Sequence, residues 1–222
     1  MICSQCKIKF TQSHHAQKYC SKKCAEIINT EWRKKLVSLN TPLCDFGWKA
    51  EPFNLLGVDD KFWTLDSAKG QNGLLLMFIC NHCPYVKAIL PRLLNNLSEL
   101  KKIGINSIAI SSNDTINYPE DSFEEMKKLS TSHNFFFPYI FDESQSVAKS
   151  YNAICTPDFF GFNRLLELQY RGRFDSTGRA DSPPDDNKRD LFEAMKLISE
   201  TQIGPETQFS SIGCSLKWKE VN

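Results

Sequence analysis

The chain has no long apolar run. Its longest uncharged apolar stretch extends only from Leu74 to Cys80, far short of the roughly 18 residues a membrane-spanning helix needs. No membrane association is expected. The N-terminus, MICSQCKIKF, has neither an extended apolar segment nor a small-residue cleavage site. That argues against a secretory signal and for a cytoplasmic location. Internal repeats and long low-complexity segments are also lacking. Net charge is close to zero, at +1. Cysteine, by contrast, is plentiful: nine residues, at positions 3, 6, 20, 24, 44, 80, 83, 155 and 214. In a reducing compartment, paired cysteines are more often metal ligands or catalytic groups than structural crosslinks. A chain of 222 residues can bury enough surface to be stable without disulfides.

The small net charge hides an asymmetry. Residues 1–39 carry +6 and the remainder −5, as expected of two modules with different surfaces. The first module holds Cys3-x2-Cys6, thirteen residues, and then Cys20-x3-Cys24. A short turn lets two thiolates approach one ion at about 2.3 Å, and two such pairs complete a tetrahedron. A segment this short has no core of its own, so the metal would supply its folding energy. Ser21 is a helix cap. Ala25, Ile28, Trp32, Leu36 and Leu39 then follow at three- and four-residue steps. YCSKKC at the start of a helix resembles the second half of a treble-clef-like zinc ribbon. Four cysteines fill the coordination shell, which leaves His14 and His15 as spare alternatives. The basic charge fits either a solvated face, the commoner case, or contact with nucleic acid.

From residue 45 onward the pattern changes. PFNLLGVDDKFWTLDS reads as a hairpin around Gly57–Asp60. LLLMFI is a continuous apolar run, typical of a central strand buried on both faces. Residues 84–102 carry a helical apolar stripe, INSIAI (105–110) is a strand, and 119–133 is a helix opening at a proline. FFFPYIF (135–141) is a strand and 144–151 a short helix. DFFGFN and LELQYRGRF are two strands with a tight, antiparallel connection, and 189–201 is a closing helix. Strands alternating with helices predict an α/β fold, with a central mixed, mainly parallel sheet flanked by helices.

The chemistry gathers at ICNHCPYV. Cys80 ends the strand, and Cys83 stands one helical turn later. Unpaired N–H groups and the dipole at a helix N-terminus stabilise a thiolate there. The spacing lets the second sulfur attack the first. Pro84 suits the first turn, and a cationic His82 would lower the pKa of Cys80 further.

CNHC at a strand–helix junction and Thr156-Pro157 before a strand resemble the thioredoxin superfamily. The wider set CNHCPYV, NDTINYPEDSFEEM, CTPDFFGF and GCSLKWK resembles its peroxiredoxin-like, redoxin-domain branch, over about residues 45–220. The resemblance implies a thioredoxin-like (redoxin) domain at 45–222 after a zinc-ribbon-like module at 1–39. It also implies a cis-proline loop at Pro157 packed against the two cysteines. A histidine just before the second cysteine resembles the active site of the periplasmic disulfide-forming oxidase. Two departures stand out. With Cys83 aligned to the peroxide-attacking cysteine of peroxiredoxins, Cys80 occupies the threonine position and Leu76 the proline position. Ile79 replaces the tryptophan of ordinary thioredoxins.

The expected function is therefore thiol–disulfide oxidoreduction. Cys80 is the attacking thiolate, Cys83 resolves the mixed disulfide, and His82 and Pro157 tune and shape the site. Thr156, Cys155 and Cys214 are accessory candidates: Cys155 as a third redox thiol or a buried hydrophobe, Cys214 as a resolving or a packing residue. Zinc is expected on Cys3, Cys6, Cys20 and Cys24, and no organic cofactor is required. The partner is a disulfide-containing protein or a small thiol, with a thioredoxin or glutathione system as reductant. Two alternatives remain: a peroxiredoxin-like thiol peroxidase, and a non-enzymatic zinc-anchored adaptor. Asp114 and Glu120 are explained by capping, Arg171 and Arg173 by surface exposure or ion pairing, His133 by its helix end, and Cys44 as inert.

Overall fold

The computed structural model describes residues 38–180 and 187–220. The expected zinc module, with Cys3, Cys6, Cys20 and Cys24, lies outside the described residues. In chain order the elements are β1 (Ser38–Asn40), β2 (Asn54–Leu56), β3 (Phe62–Thr64), α1 (Leu65–Ala68), β4 (Gly73–Phe78), α2 (Pro84–Lys102), β5 (Ile105–Ser111), α3 (Phe123–Ser132), β6 (Tyr139–Phe141), α4 (Ser146–Ser150), β7 (Cys155–Thr156), β8 (Asp158–Asn163), β9 (Leu168–Arg171), α5 (Asp190–Thr201) and β10 (Ile212–Ser215).

Five strands form the central sheet, in the order β6-β5-β4-β8-β9. β4 is its middle strand, and all six of its residues are buried. Leu74, Leu76 and Phe78 join a cluster with Ile108, Ile110, Phe160, Phe162, Tyr151 and Leu65. Strand alternation sends Leu75 and Met77 to the opposite face, where α2 and α5 pack. Both are fully buried, and each such side chain contributes roughly 1.5–3 kcal/mol of transfer free energy. An apolar run without polar interruption is what a strand covered on both sides requires.

The sheet is mixed, but less parallel than the sequence predicts. β4–β5 and β5–β6 are parallel, while β4–β8 and β8–β9 are antiparallel. The short connection between β8 and β9 allows only the antiparallel arrangement. Two further differences have local causes. The helix expected over 119–133 opens as a 3-10 turn at Pro119–Asp121, and α3 starts only at Phe123. The strand expected over 135–141 shortens to Tyr139–Phe141, because Pro138 has no N–H for a ladder.

A second sheet, β1-β10-β7, has no counterpart in the sequence reading. In it Cys214 is the Cα partner of Thr156, and Ser215 that of Cys155. Gly213 makes this approach possible: a Cβ there would lie 2.3 Å from the Thr156 carbonyl oxygen. The segment after β10 is pinned by side-chain amides. Gln145 donates to the carbonyls of Ser112 and Lys217, and Asn113 accepts from the Lys217 N–H.

One buried ion pair ties the start of β8 to β9. Arg171 donates to both carboxylate oxygens of Asp158, at 2.9 and 3.3 Å, and lies 4.3 Å over the Phe160 ring. Burial pushes the Asp158 carboxyl up to about 6 even though Arg171 pulls it down. A carboxyl raised in the folded state stabilises most below its unfolded pKa, and that contribution is gone once pH passes about 6. Replacing Arg171 by Met leaves the carboxylate without its counter-ion and raises its pKa further. Urea denaturation should show a loss of about 3–5 kcal/mol near pH 7.5. The loss should be smaller at pH 5, where Asp158 is mostly protonated in both proteins. An equal loss at both pH values would show that the pair contributes only packing.

Candidate active site

β4 delivers the chain to the site. After Phe78 the strand ends, and the Ile79 N–H still bonds the Ile110 carbonyl. Residues 80–82 then turn the chain, and Cys83 becomes the N-cap of α2, with Pro84 in the first turn. Cys80 is 1% exposed and Cys83 0%, so both sulfurs lie beneath the surface. Neither is in a disulfide, and Cys155 and Cys214 are also free thiols.

The two sulfurs meet the Thr156–Pro157 turn, whose peptide bond is cis. The Cys80 Sγ lies 3.4 Å from Thr156 Oγ1, and Cys83 Sγ lies 3.0 Å from the Thr156 carbonyl oxygen. Cys155 points elsewhere and donates to the Pro157 carbonyl at 3.6 Å. Cys214 is held opposite Thr156 by the ladder, where Cys83 acts on its thiol. The structure thus brings Cys80, Cys83, Thr156, Pro157 and Cys214 together, with Cys155 next to them.

Asp121 organises the turn from the other side. It is 0% exposed. Oδ1 accepts the backbone N–H groups of Asn81 (2.8 Å) and His82 (3.1 Å), and Oδ2 accepts from Asn113 Nδ2 (2.8 Å). His82 Nδ1 lies 2.6 Å from the same Oδ2. With an ionised carboxylate as acceptor, Nδ1 carries the hydrogen and gives it to Asp121 rather than to Cys80, which is 3.9 Å away. The imidazole stacks on Tyr118, with ring centroids 5.6 Å apart and an interplanar angle of 11°. Lys217 Nζ lies 5.6 Å from the centre of that Tyr118 ring. Cys80, His82 and Asp121 offer metal-ligand atoms within 4.8 Å of one another. The short His82–Asp121 contact, however, makes this a hydrogen-bonded dyad that holds the turn.

The two thiols are not equivalent. Burial pushes Cys80 up, and so do the Cys83 thiol and the charge of Asp121. Burial also pushes Cys83 up, but the neighbouring polar groups of Cys214, Cys80 and Thr156 and the backbone at Val86 pull it down further, and Cys83 falls well below the usual thiol range. When protonated, Cys83 donates to the Thr156 carbonyl. When ionised, it gives up that bond. Cys214 is raised, first by Cys83 and then by burial. Cys155 is raised by burial and by the charge of Asp158. The sequence reading assigns the helix-end stabilisation to Cys80, whereas the N-cap position belongs to Cys83.

Asp121, Asn113 and Lys217 escaped the sequence reading. Acids in the first turn of a helix are explained by the dipole alone, so nothing in PEDSFEEM marked Asp121 as different. Lys217 stands three residues after Cys214 in GCSLKW, but no periodicity placed that segment beside the dithiol.

A two-cysteine turn at a strand–helix junction, facing a cis-proline turn on a mixed sheet, defines a thioredoxin-like fold. The AhpC/TSA family profile matches residues 46–174, and the chain belongs to that family. Thiol-based oxidoreduction is the family's general chemistry. Two solved structures are similar over nearly their whole length. An uncharacterized conserved protein from Geobacillus kaustophilus is 38% identical, with a TM-score of 0.79 over 84% of this chain and 99% of that one. A hypothetical protein from Sinorhizobium meliloti is 35% identical, with a TM-score of 0.72 over 83% and 99%. A putative thiol:disulfide interchange protein from Chlorobium tepidum shares the fold at 19% identity, with a TM-score of 0.54 over 70% and 97%. No curated protein matches the chain.

The unequal thiols lead to a spectroscopic prediction. Thiolate absorbance near 240 nm, taken as wild type minus variant, should show an ionised sulfur at pH 7 that Cys83→Ser removes. Cys80→Ala, which removes the neighbouring thiol altogether, should raise its midpoint by about one pH unit, equivalent to roughly 1.4 kcal/mol. A band that survives Cys83→Ser but vanishes in Cys80→Ala would reverse the assignment.

Proposed function

We propose that the chain is a thiol–disulfide oxidoreductase working through the Cys80–Cys83 dithiol. The observation that carries this reading is the shared site: two sulfurs at one helix N-terminus, both in contact with Thr156 of the Thr156–Pro157 turn. At rest Cys83 holds the charge and Cys80 the proton. As a partner disulfide approaches, Cys80 passes its proton to Cys83 and attacks, forming a mixed disulfide and releasing one partner thiolate. That thiolate takes the proton from Cys83. Cys83 then attacks Cys80, closes the Cys80–Cys83 bond and releases the second partner sulfur. Two electrons pass to the partner, and the single proton is conserved until solvent supplies the next. A thioredoxin or glutathione system returns the dithiol to its reduced form.

A second reading draws support from the depressed Cys83. A thiolate there stands in the peroxide-attacking position of the family pattern. It would take the terminal oxygen of a hydroperoxide and become a sulfenic acid, while the leaving alkoxide takes a proton from solvent and departs as the alcohol. Cys80 would then condense with that sulfenic acid, lose water and close the same disulfide. No threonine hydroxyl occupies the Cys80 position to bind the peroxide, which favours the first reading.

Zinc on Cys3, Cys6, Cys20 and Cys24 is proposed on spacing alone. Native mass spectrometry should find one zinc ion per chain, lost with a chelator.

Two assays separate the enzymatic readings. In disulfide reduction with insulin or oxidised glutathione, both Cys80→Ser and Cys83→Ser should fall to about 1% of wild type or less, because each sulfur enters a covalent intermediate. Cys83→Ser should accumulate a partner bound covalently at Cys80. In peroxide consumption, the oxidoreductase reading expects slow turnover by the wild type. Rapid turnover abolished by Cys83→Ser would establish the peroxidase instead. A thiol titre unchanged after oxidation and reduction would favour the adaptor.

A further inference from the structure

We propose that Cys214 is a third redox thiol of the site, able to take over the bond to Cys83 and form a Cys83–Cys214 disulfide that returns Cys80 to the thiol state. This rests on the dithiol reading above and extends it. The geometry begins with the ladder: β10 pairs with β7 so that Cys214 stands opposite Thr156, the residue whose carbonyl oxygen lies 3.0 Å from Cys83 Sγ. α2, which Cys83 caps, packs against β10. The Cys83 and Cys214 thiols are near enough that each shifts the ionisation of the other. Cys83 therefore has a sulfur neighbour on each side, Cys80 along the chain and Cys214 across the second sheet.

Cys155 serves as an internal comparison. It is equally buried and sits one residue from Thr156, yet its thiol goes to the Pro157 carbonyl. The inference therefore concerns Cys214 and not every cysteine nearby. Cations face Cys214 as well: Lys217, 6% exposed, and Arg179 both act on its sulfur electrostatically. Once Cys83 is bonded to Cys80, the charge that raises Cys214 most is gone, and these cations then favour the attacking thiolate.

The step is an internal exchange. The Cys214 sulfur attacks the Cys83 sulfur of the Cys80–Cys83 bond, and the Cys83–Cys214 bond forms as the Cys80–Cys83 bond breaks. The proton leaving Cys214 ends on Cys80. One disulfide becomes one disulfide, so no external oxidant or reductant takes part. The oxidising equivalent moves inward by one sulfur, while Cys80 is again available to a partner. Gly213 is what lets β10 lie close enough, since a Cβ there would meet the Thr156 carbonyl at 2.3 Å.

The test is disulfide mapping on the full chain. Reduced protein is treated with one equivalent of diamide, quenched with acid and N-ethylmaleimide, digested and read by mass spectrometry. Wild type should yield both Cys80–Cys83 and Cys83–Cys214 peptides. Cys80→Ser should yield Cys83–Cys214 as its main bridge at this site, and Cys214→Ser should lose that peptide while keeping Cys80–Cys83. Gly213→Ala, which removes no sulfur, should reduce the Cys83–Cys214 yield. If wild type forms Cys80–Cys83 but Cys80→Ser leaves Cys83 and Cys214 separately alkylated, the third thiol is overturned and the dithiol reading stands. If wild type forms no Cys80–Cys83 bridge, the dithiol reading fails first.

Discussion

Thr156 is the hub of the site. Its hydroxyl touches Cys80, its carbonyl oxygen touches Cys83, and its backbone is paired with that of Cys214. These are three different parts of one residue, each set by a different element of the fold. The hydroxyl and carbonyl are oriented by the turn before β8, which the Asp158–Arg171 pair anchors one residue beyond Pro157. The strand partner depends on Gly213. A shift of this turn would disturb all three sulfurs at once, so the stability of the β8–β9 corner and the reactivity of the thiols are coupled.

Burying this much polar material requires that it be satisfied. Asp121 sits without solvent contact, and an isolated carboxylate there would cost several kcal/mol. Three N–H donors and the imidazole meet its two oxygens. Two of those donors are the backbone N–H groups of Asn81 and His82, the residues between the cysteines. The carboxylate thus holds the turn in a shape that the turn alone would not keep. Tyr139 donates to Asn81 Oδ1 from β6, which adds a contact from the far side of the sheet.

Much of the fold could be read from the sequence because its signals are local. β4 is an unbroken apolar run, α2 an apolar stripe at helical spacing, and both fall where periodicity puts them. The Cys80–Cys83 spacing and the proline at 157 are local signals too. What the sequence hid is non-local or irregular. Asp121 reads as an ordinary helix-opening acid, and only the break between the 3-10 turn and α3 aims it at His82. β10 is four residues long, contains a glycine, and pairs with residues about sixty and about one hundred and seventy positions away. No periodicity exposes such a strand. With β10 unseen, Cys214 could be named a candidate but not placed. The division of roles between the thiols was hidden for the same reason, since the groups that act on Cys83 come from three separate segments.

The asymmetry of the dithiol follows from magnitudes. Cys80 and Asp121 present atoms within 4.8 Å of each other. At an effective dielectric of about 20, a unit charge at that distance is worth roughly 3.5 kcal/mol. A hydrogen bond to a charged sulfur contributes about 1.5–3 kcal/mol. Burial keeps the proton on Cys80 first of all, and the Cys83 thiol and this carboxylate add to it against the single hydroxyl contact from Thr156. Cys83 is favoured by its surroundings instead: polar groups of Cys214, Cys80 and Thr156 and the backbone at Val86 together outweigh its burial. The acid that shapes the turn also polarises the pair across it. Structure and reactivity meet in Asp121 because the backbone geometry of residues 81–82 and the location of the proton depend on the same buried charge.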